Sequence, residues 1–464
     1  SIALATFLGA LFIRDARLGF FLGPAVFWTL AALSVSLQKL GFLPNPFVTY
    51  VALASILCFV AFLYHREIAQ LRSAGVASIG STLLAFTIEL ATRAWGLSGI
   101  YFGDSPTILG NALSVAEGGS PFLGFFVSLK RSIATYSVHA LGVWNGNEYL
   151  ASYHPYVFLI ALVVIAIAAG KIIGDWRWSL PFVSLVGMLV FSTEAIARHA
   201  FFINSHAGLM LLVAVVGYLL ISSESPQIRQ TALMLLVSSS ILRPDYGAIV
   251  TILVIILLLR KQLEVTRKQI FIGIVALLAP LILLGPTSGV EISSLELFVF
   301  FGLALVMGGL LFVFGVGVFS LKPRSDQVFV YSSWAVVALV LAELLTQTES
   351  TSPLVRNFFL FEGLWGLTIY FAFFATALSF VYARVTTVHQ HIAELLAVTI
   401  TLVLIVKLAD IFLTSGSSFG LARVGFGDTV NRLMVAAVPG FVLIWATLVR
   451  ALRTPAAVLE REKK

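Results

Sequence analysis

Residues 154–172 read HPYVFLIALVVIAIAAGKI, an apolar run whose first charged side chain is Lys171. As a helix rising 1.5 Å per residue, a run of this length spans a ~30 Å hydrocarbon core. Working outward, comparable runs precede it at 19–39, 46–64 and 76–97. Others follow at 179–199, 207–222, 228–242, 244–260, 268–286, 296–320, 327–346, 357–382, 390–413 and 432–451. Residues 1–13 form a shorter apolar stretch without a basic start or a cleavage signal, so they read as one more helix and not as a signal peptide. Composition agrees. The chain is 59% hydrophobic and 11% charged, with mean hydropathy +1.01. A soluble chain of 464 residues could not cover its surface with so few polar groups. The expected fold is all-α, a polytopic integral membrane protein of about 14 transmembrane helices.

The basic residues give an orientation. Arg14, Arg17, Arg66, Arg72, Lys171, Arg177, Arg229, Arg260, Lys261, Arg267, Lys268, Lys322, Arg324, Arg384 and the tail from Arg450 to Lys464 fall on one side of these spans. That side is cytoplasmic by the positive-inside rule, and the loops 98–153 and 414–431 lie outside. The expected location is the plasma membrane, with the chemistry on the extracytoplasmic face. The net charge of +7 is thus a topology signal, and no basic domain invites nucleic acid. The single cysteine, Cys58, sits mid-span, which rules out a disulfide framework or a cysteine metal site.

The loop 98–153 is the long polar-mixed segment. Asp104 opens it, in Tyr101-Phe102-Gly103-Asp104-Ser105-Pro106, at the outer end of a span. An acid there suits chemistry at the bilayer surface; it also suits a helix cap, with Pro106 in the first turn. The two roles are compatible. Residues 105–117 and 121–142 have helical apolar spacing and read as amphipathic helices lying in the interface. Glu117 is the second acid of the loop. Trp144, Tyr153 and His154 fall where aromatic belts sit, or where rings stack on a sugar and their polar tips bond its hydroxyls.

Other polar groups cluster at helix ends. Glu89/Arg93 and Glu194/Arg198 are four apart and should pair on one face. His199 and His206 lie near the second pair, and Lys407/Asp410 are three apart. Arg243-Pro244-Asp245-Tyr246 joins two short spans, with Pro244 starting the second and Asp245 in its first turn. Arg423-Val424-Gly425-Phe426-Gly427-Asp428 leads to Arg432 at the start of the last span. These two arginines suit an anionic headgroup, since guanidinium binds phosphate bidentately. The alternative is an arginine that snorkels or pairs with Asp428.

In this order the motifs resemble the GT-C superfamily of polytopic glycosyltransferases. The features are an acid after an early span (Gly103-Asp104-Ser105-Pro106), the helix Ile108 to Gly119, Tyr153-His154-Pro155-Tyr156 opening a span, Arg243-Pro244-Asp245-Tyr246 between mid-chain helices, and Arg432 at the final span. The resemblance covers residues 76–451. Residues 1–75 would be additional N-terminal transmembrane helices, and 452–464 a cytoplasmic tail. It implies transfer of a hexose or pentose from a polyprenyl-phosphate donor to a glycan, lipid or protein acceptor at the outer face. Asp104 would be the general base of an inverting reaction, with Glu117 in reserve. Arg432, then Arg243, with Arg423, Arg198 and Arg131, would hold the donor phosphate. Many members carry a paired acid where Asp104 stands alone, so one carboxylate is thin for a divalent cation and no metal is assigned.

Two other classes compete. A transporter or flippase for a lipid-linked substrate would use discontinuous helices and intramembrane acids such as Glu343 and Glu362. An O-antigen polymerase or ligase-like enzyme would use Arg198, His199 and His206, with a large loop late in the chain, whereas here the long loop comes early. A lone acid also fits a relative of the same fold that has lost activity.

Overall fold

The computed structural model describes residues 2–39, 45–64, 68–94, 105–117, 133–144, 152–201, 205–222, 227–259, 331–338, 356–358, 360, 362–382, 387–414 and 432–453. These residues are helical or in the connections between helices, with no strand among them. The helices are α1 (Ile2–Ile13), α2 (Ala16–Lys39), α3 (Pro46–Tyr64), α4 (Ile68–Ala94), α5 (Ser105–Ala116), α6 (Ile133–Trp144), α7 (Tyr153–Ile173) and α8 (Trp176–Ser192). They continue with α9 (Glu194–Phe201), α10 (His206–Ile221), α11 (Gln227–Leu242), α12 (Pro244–Leu259), α13 (Thr368–Tyr382), α14 (Thr387–Thr414) and α15 (Val438–Arg453), the last preceded by a 3₁₀ turn at Met434–Ala437. Five helices among the described residues are long and apolar enough to cross a membrane, or six if the bent pair α8–α9 counts as one span. Shorter apolar helices accompany them, as an integral membrane protein requires. The expected spans 268–286 and 296–320 lie outside the described residues.

The chain divides into two compact units. The first comprises Ser1–Phe158, Phe201–Leu212 and Glu224–Ser320; the second comprises Leu159–Ala200, Val213–Ser223 and Leu321–Lys464. In the first, α2 is the hub, packing against α1, α3, α4, α6 and α11. It is buried along most of its length, whereas α3 and α4 expose Ile56, Phe59, Val60, Val76, Ile79, Leu83 and Phe86. Apolar faces of that extent would be costly in water and are satisfied by lipid. Helices α5 and α6 pack together, with α6 also against α2. Each has 12 residues, about 18 Å of helix, too short to cross a bilayer.

Close helix approach rests on small residues. A Cβ at Gly19 would overlap the backbone of Ala10, and one at Gly23 would overlap the Thr6 hydroxyl. These glycines let α1 and α2 touch along their backbones, the device that replaces hydrophobic driving force in a lipid solvent.

Two expected spans differ. The run 179–199 is not one helix: α8 and α9 meet at 82°. Thr193 has extended backbone angles (φ −90°, ψ 106°) and ends α8. Its hydroxyl lies 2.6 Å from Leu189 O and 2.6 Å from Thr368 Oγ1, and the Ala195 N–H donates to Leu364 O at 3.1 Å. The break survives because a distant segment takes the freed donor. The run 357–382 is likewise not one helix: after a helical start at 356–358 the chain turns, and α13 begins only at Thr368. Before it, Arg356 grips Glu362 through two bonds of 2.9 and 2.8 Å, and Leu364 adopts φ 66°. This corner presents the Leu364 carbonyl to α9.

Replacing Gly19 with Leu should destabilise the protein by at least about 1–3 kcal/mol. Gly75→Ala, on α4 where an added Cβ meets nothing within 4 Å, should be neutral or slightly stabilising. Melting temperatures in detergent check both.

Candidate functional site

Polar side chains in the first unit converge on α2 from two directions. On one side is the start of α7. Pro155 falls in the first turn, where its missing N–H costs nothing. Tyr153, His154 and Tyr156 are all buried. His154 Nε2 lies 3.2 Å from His139 Nε2 on α6, with the two rings stacked at 5.4 Å. Tyr153 sets its edge against both imidazoles and against Phe27 of α2. One imidazole must donate and the other accept, so the pair cannot carry two charges without placing two N–H groups face to face. Burial pushes His139 down to about 4. The Tyr156 hydroxyl lies 2.5 Å from Ser81 Oγ, which accepts from Thr6 at 2.9 Å. That relay ties α7 to α4 and α1.

On the other side is the joint between α11 and α12. Arg243 is buried (7% exposed), and its guanidinium sits 4.5 Å from the Tyr246 ring centre. A cation on an aromatic face gains from the ring quadrupole, more so out of water. The Tyr246 hydroxyl bonds His206 Nδ1 at 2.6 Å, and Ser205 donates to the same oxygen at 3.4 Å. Gly247 is required here, since a Cβ would stand 2.8 Å from the Ser240 hydroxyl. Between the two clusters, Trp28 follows Phe27 on α2 and donates its indole N–H to Ser238 O at 3.1 Å. The chemistry of the clusters is that of a fixed cation with neutral donor–acceptor relays.

The second unit holds other cations. Arg198 pairs with Glu194 within α9, as their spacing predicts, beside buried His199. In the first unit, Arg93 and Glu89 on α4 pair likewise at 2.6 Å. Arg432 is half-buried, just ahead of the 3₁₀ turn. Two buried groups on α14 escaped the sequence reading: His389, whose Nδ1 lies 2.9 Å from Thr447 Oγ1, and Glu394. The available signal was a histidine and an acid five residues apart at the start of an apolar run.

Of the residues singled out by sequence, Tyr153, His154 and Arg243 fall in the first unit, while Arg198 and Arg432 fall in the second. Glu117 is exposed just past α5. Asp104, Lys130, Arg131, Arg423 and Asp428 lie outside the described residues, as do the side chains of Trp144, Asp245, Lys407 and Asp410. Among the described residues no three His, Cys, Asp or Glu side chains are arranged to hold one metal ion. The chain matches no protein-family model, no curated protein and no solved structure.

The His139 shift has a signed consequence. Its folded pKa of about 4 lies below the unfolded value of about 6.5. The unfolded chain therefore binds more protons between those values. Stability is full above about pH 6.5 and falls as pH drops toward 4. The melting temperature should decline over that window, and His139→Asn should flatten the decline. An equal slope in the variant would count against the assignment.

Proposed function

We propose that this chain is a GT-C-type membrane glycosyltransferase of about 14 spans, with core 76–451 preceded by additional helices and followed by a cytoplasmic tail. It would move a sugar from a polyprenyl-phosphate donor to a glycan, lipid or protein acceptor at the extracytoplasmic face. The observation that supports this best is the pair α5 and α6, of which α5 begins directly after Asp104 and both are too short to cross. They form the low shelf at the membrane surface that a lipid-borne donor needs to meet a water-borne acceptor. Asp104 then deprotonates the acceptor hydroxyl, and no covalent sugar intermediate is formed. Arginines oppose the charge that grows on the departing phosphate, so they favour the transition state over the bound donor. Arg243 fits that role because a cation already fixed on Tyr246 needs no reorganisation. Arg432 is the second phosphate ligand of this reading.

A transporter reading draws on one observation, the 82° break between α8 and α9. Its acid Glu362 is held bidentately by Arg356, which favours a structural part for that residue.

The test is transfer by purified protein from a panel of polyprenyl-phosphate hexoses and pentoses. Asp104→Asn should lower turnover about 10²–10⁴-fold without changing the melting temperature. Arg243→Gln and Arg432→Gln should weaken donor use. A folded Asn variant with normal turnover would remove the base, and substrate movement across proteoliposomes without transfer would favour the transporter.

A further inference from the structure

The joint between α7 and α8 lies in the second unit together with the end of α15. Gly174 takes φ 74° there, a conformation that glycine adopts without strain. The turn sets Asp175 at the head of α8, where its carboxylate accepts the Arg177 N–H at 2.9 Å. The same carboxylate takes Arg453 of α15 at 2.7 Å, and Arg453 also donates to Ile173 O at 3.2 Å. Lys171 donates to two hydroxyls, Tyr218 at 2.9 Å and Ser222 at 2.8 Å, which hold it without offsetting its charge. Residues 171–178 and Arg453 thus carry three basic side chains against one acid. Two indole rings stand out of this joint. Trp176 is 72% exposed and Trp178 is 53% exposed. A guanidinium lies near each, Arg177 at 5.9 Å from the Trp176 ring and Arg453 at 5.6 Å from the Trp178 ring. Beyond them the large exposed side chains of α8 are Leu180, Leu185, Met188 and Phe191. Charge stops at Arg177, an apolar surface fit for hydrocarbon begins at Leu180, and the tryptophans stand at the change. Indoles suit that depth, since the ring meets the acyl boundary while the N–H reaches lipid oxygens or water.

We propose that the α7–α8 joint is an anchor for anionic phospholipid: Trp176 and Trp178 seat in the headgroup layer, and the net positive charge around them gathers anionic lipid there. Positive charge at the membrane surface and anionic headgroups are complementary, each basic residue near the surface strengthening the attraction about fivefold. On the orientation read from the basic residues, the lipid is that of the cytoplasmic leaflet. None of these residues is assigned to transfer, so the anchor stands or falls apart from that function.

The experiment reads the lipid around α8 in proteoliposomes of the full chain. With Cys58 replaced by Ser, Leu180→Cys carries a bimane fluorophore. The bilayer holds equal amounts of phosphatidylcholine and phosphatidylglycerol, with one or the other brominated on its acyl chains. Brominated phosphatidylglycerol should quench the bimane about twofold or more over brominated phosphatidylcholine. Trp176→Ala/Trp178→Ala should cut that excess by about half or more, and so should Arg177→Gln. A bimane at Met188→Cys, exposed about two turns further along α8, should be quenched alike by the two lipids. Equal quenching at position 180 overturns the anionic anchor, and quenching by neither lipid puts the joint in water and overturns it as well. An excess that is unchanged in either variant, or that is equally large at position 188, also overturns it.

Discussion

A peptide group in hydrocarbon finds no water, so each N–H and C=O must be satisfied by the protein itself. That constraint makes the described residues helical and decides where the chain can leave a helix. At Thr193 the departure is possible because Leu364 O accepts from Ala195 and Thr368 meets the Thr193 hydroxyl. At Arg243 the ladder barely stops: its N–H donates to Ser239 O and its carbonyl accepts from Gly247. The left-handed residue at 364 is tolerable in turn because it delivers the carbonyl that α9 uses. Packing obeys the same solvent. With lipid as apolar as leucine, helices associate through close contact. Hence Gly19 lies against Ala10, Gly208 against Leu242, and Gly440 against Leu396.

Much of this was legible in the sequence, because run length and basic asymmetry report directly on a bilayer. The helices near 19–39, 46–64 and 154–172 fall within a few residues of their runs. The pairs Glu89/Arg93 and Glu194/Arg198 follow from spacing alone. The bend at Thr193 was not legible. Neither glycine nor proline marks it, and the groups that stabilise it lie about 170 residues away. The start of α13 at Thr368 was hidden for the same reason, since Phe358 and Trp365 are as apolar in a folded corner as in a span. Among polar residues, Arg243, Tyr153 and His154 stood out by motif. Tyr246 and His206 were named with them, but the Tyr246–His206 bond and the partner His139 emerge only when distant helices meet, and Glu394 was lost in a long apolar run.

The functional reading joins these parts. Two buried clusters hold a guanidinium and two relays in fixed geometry. Fixed dipoles and charges are what a transfer reaction from a lipid phosphate needs, since they require no reorganisation as charge develops. On the proposed reading, the short helices α5 and α6 would be the place where donor and acceptor meet.

The central claim is that the segment from Asp104 to Trp144 faces the outside, and cysteine accessibility tests it most directly. With Cys58, the sole cysteine, replaced by Ser, Glu117→Cys places a thiol at the exposed residue just after α5. A membrane-impermeant maleimide should label it in right-side-out vesicles and leave it untouched in intact inverted ones. Labelling only in inverted vesicles would put the segment in the cytoplasm and contradict the account.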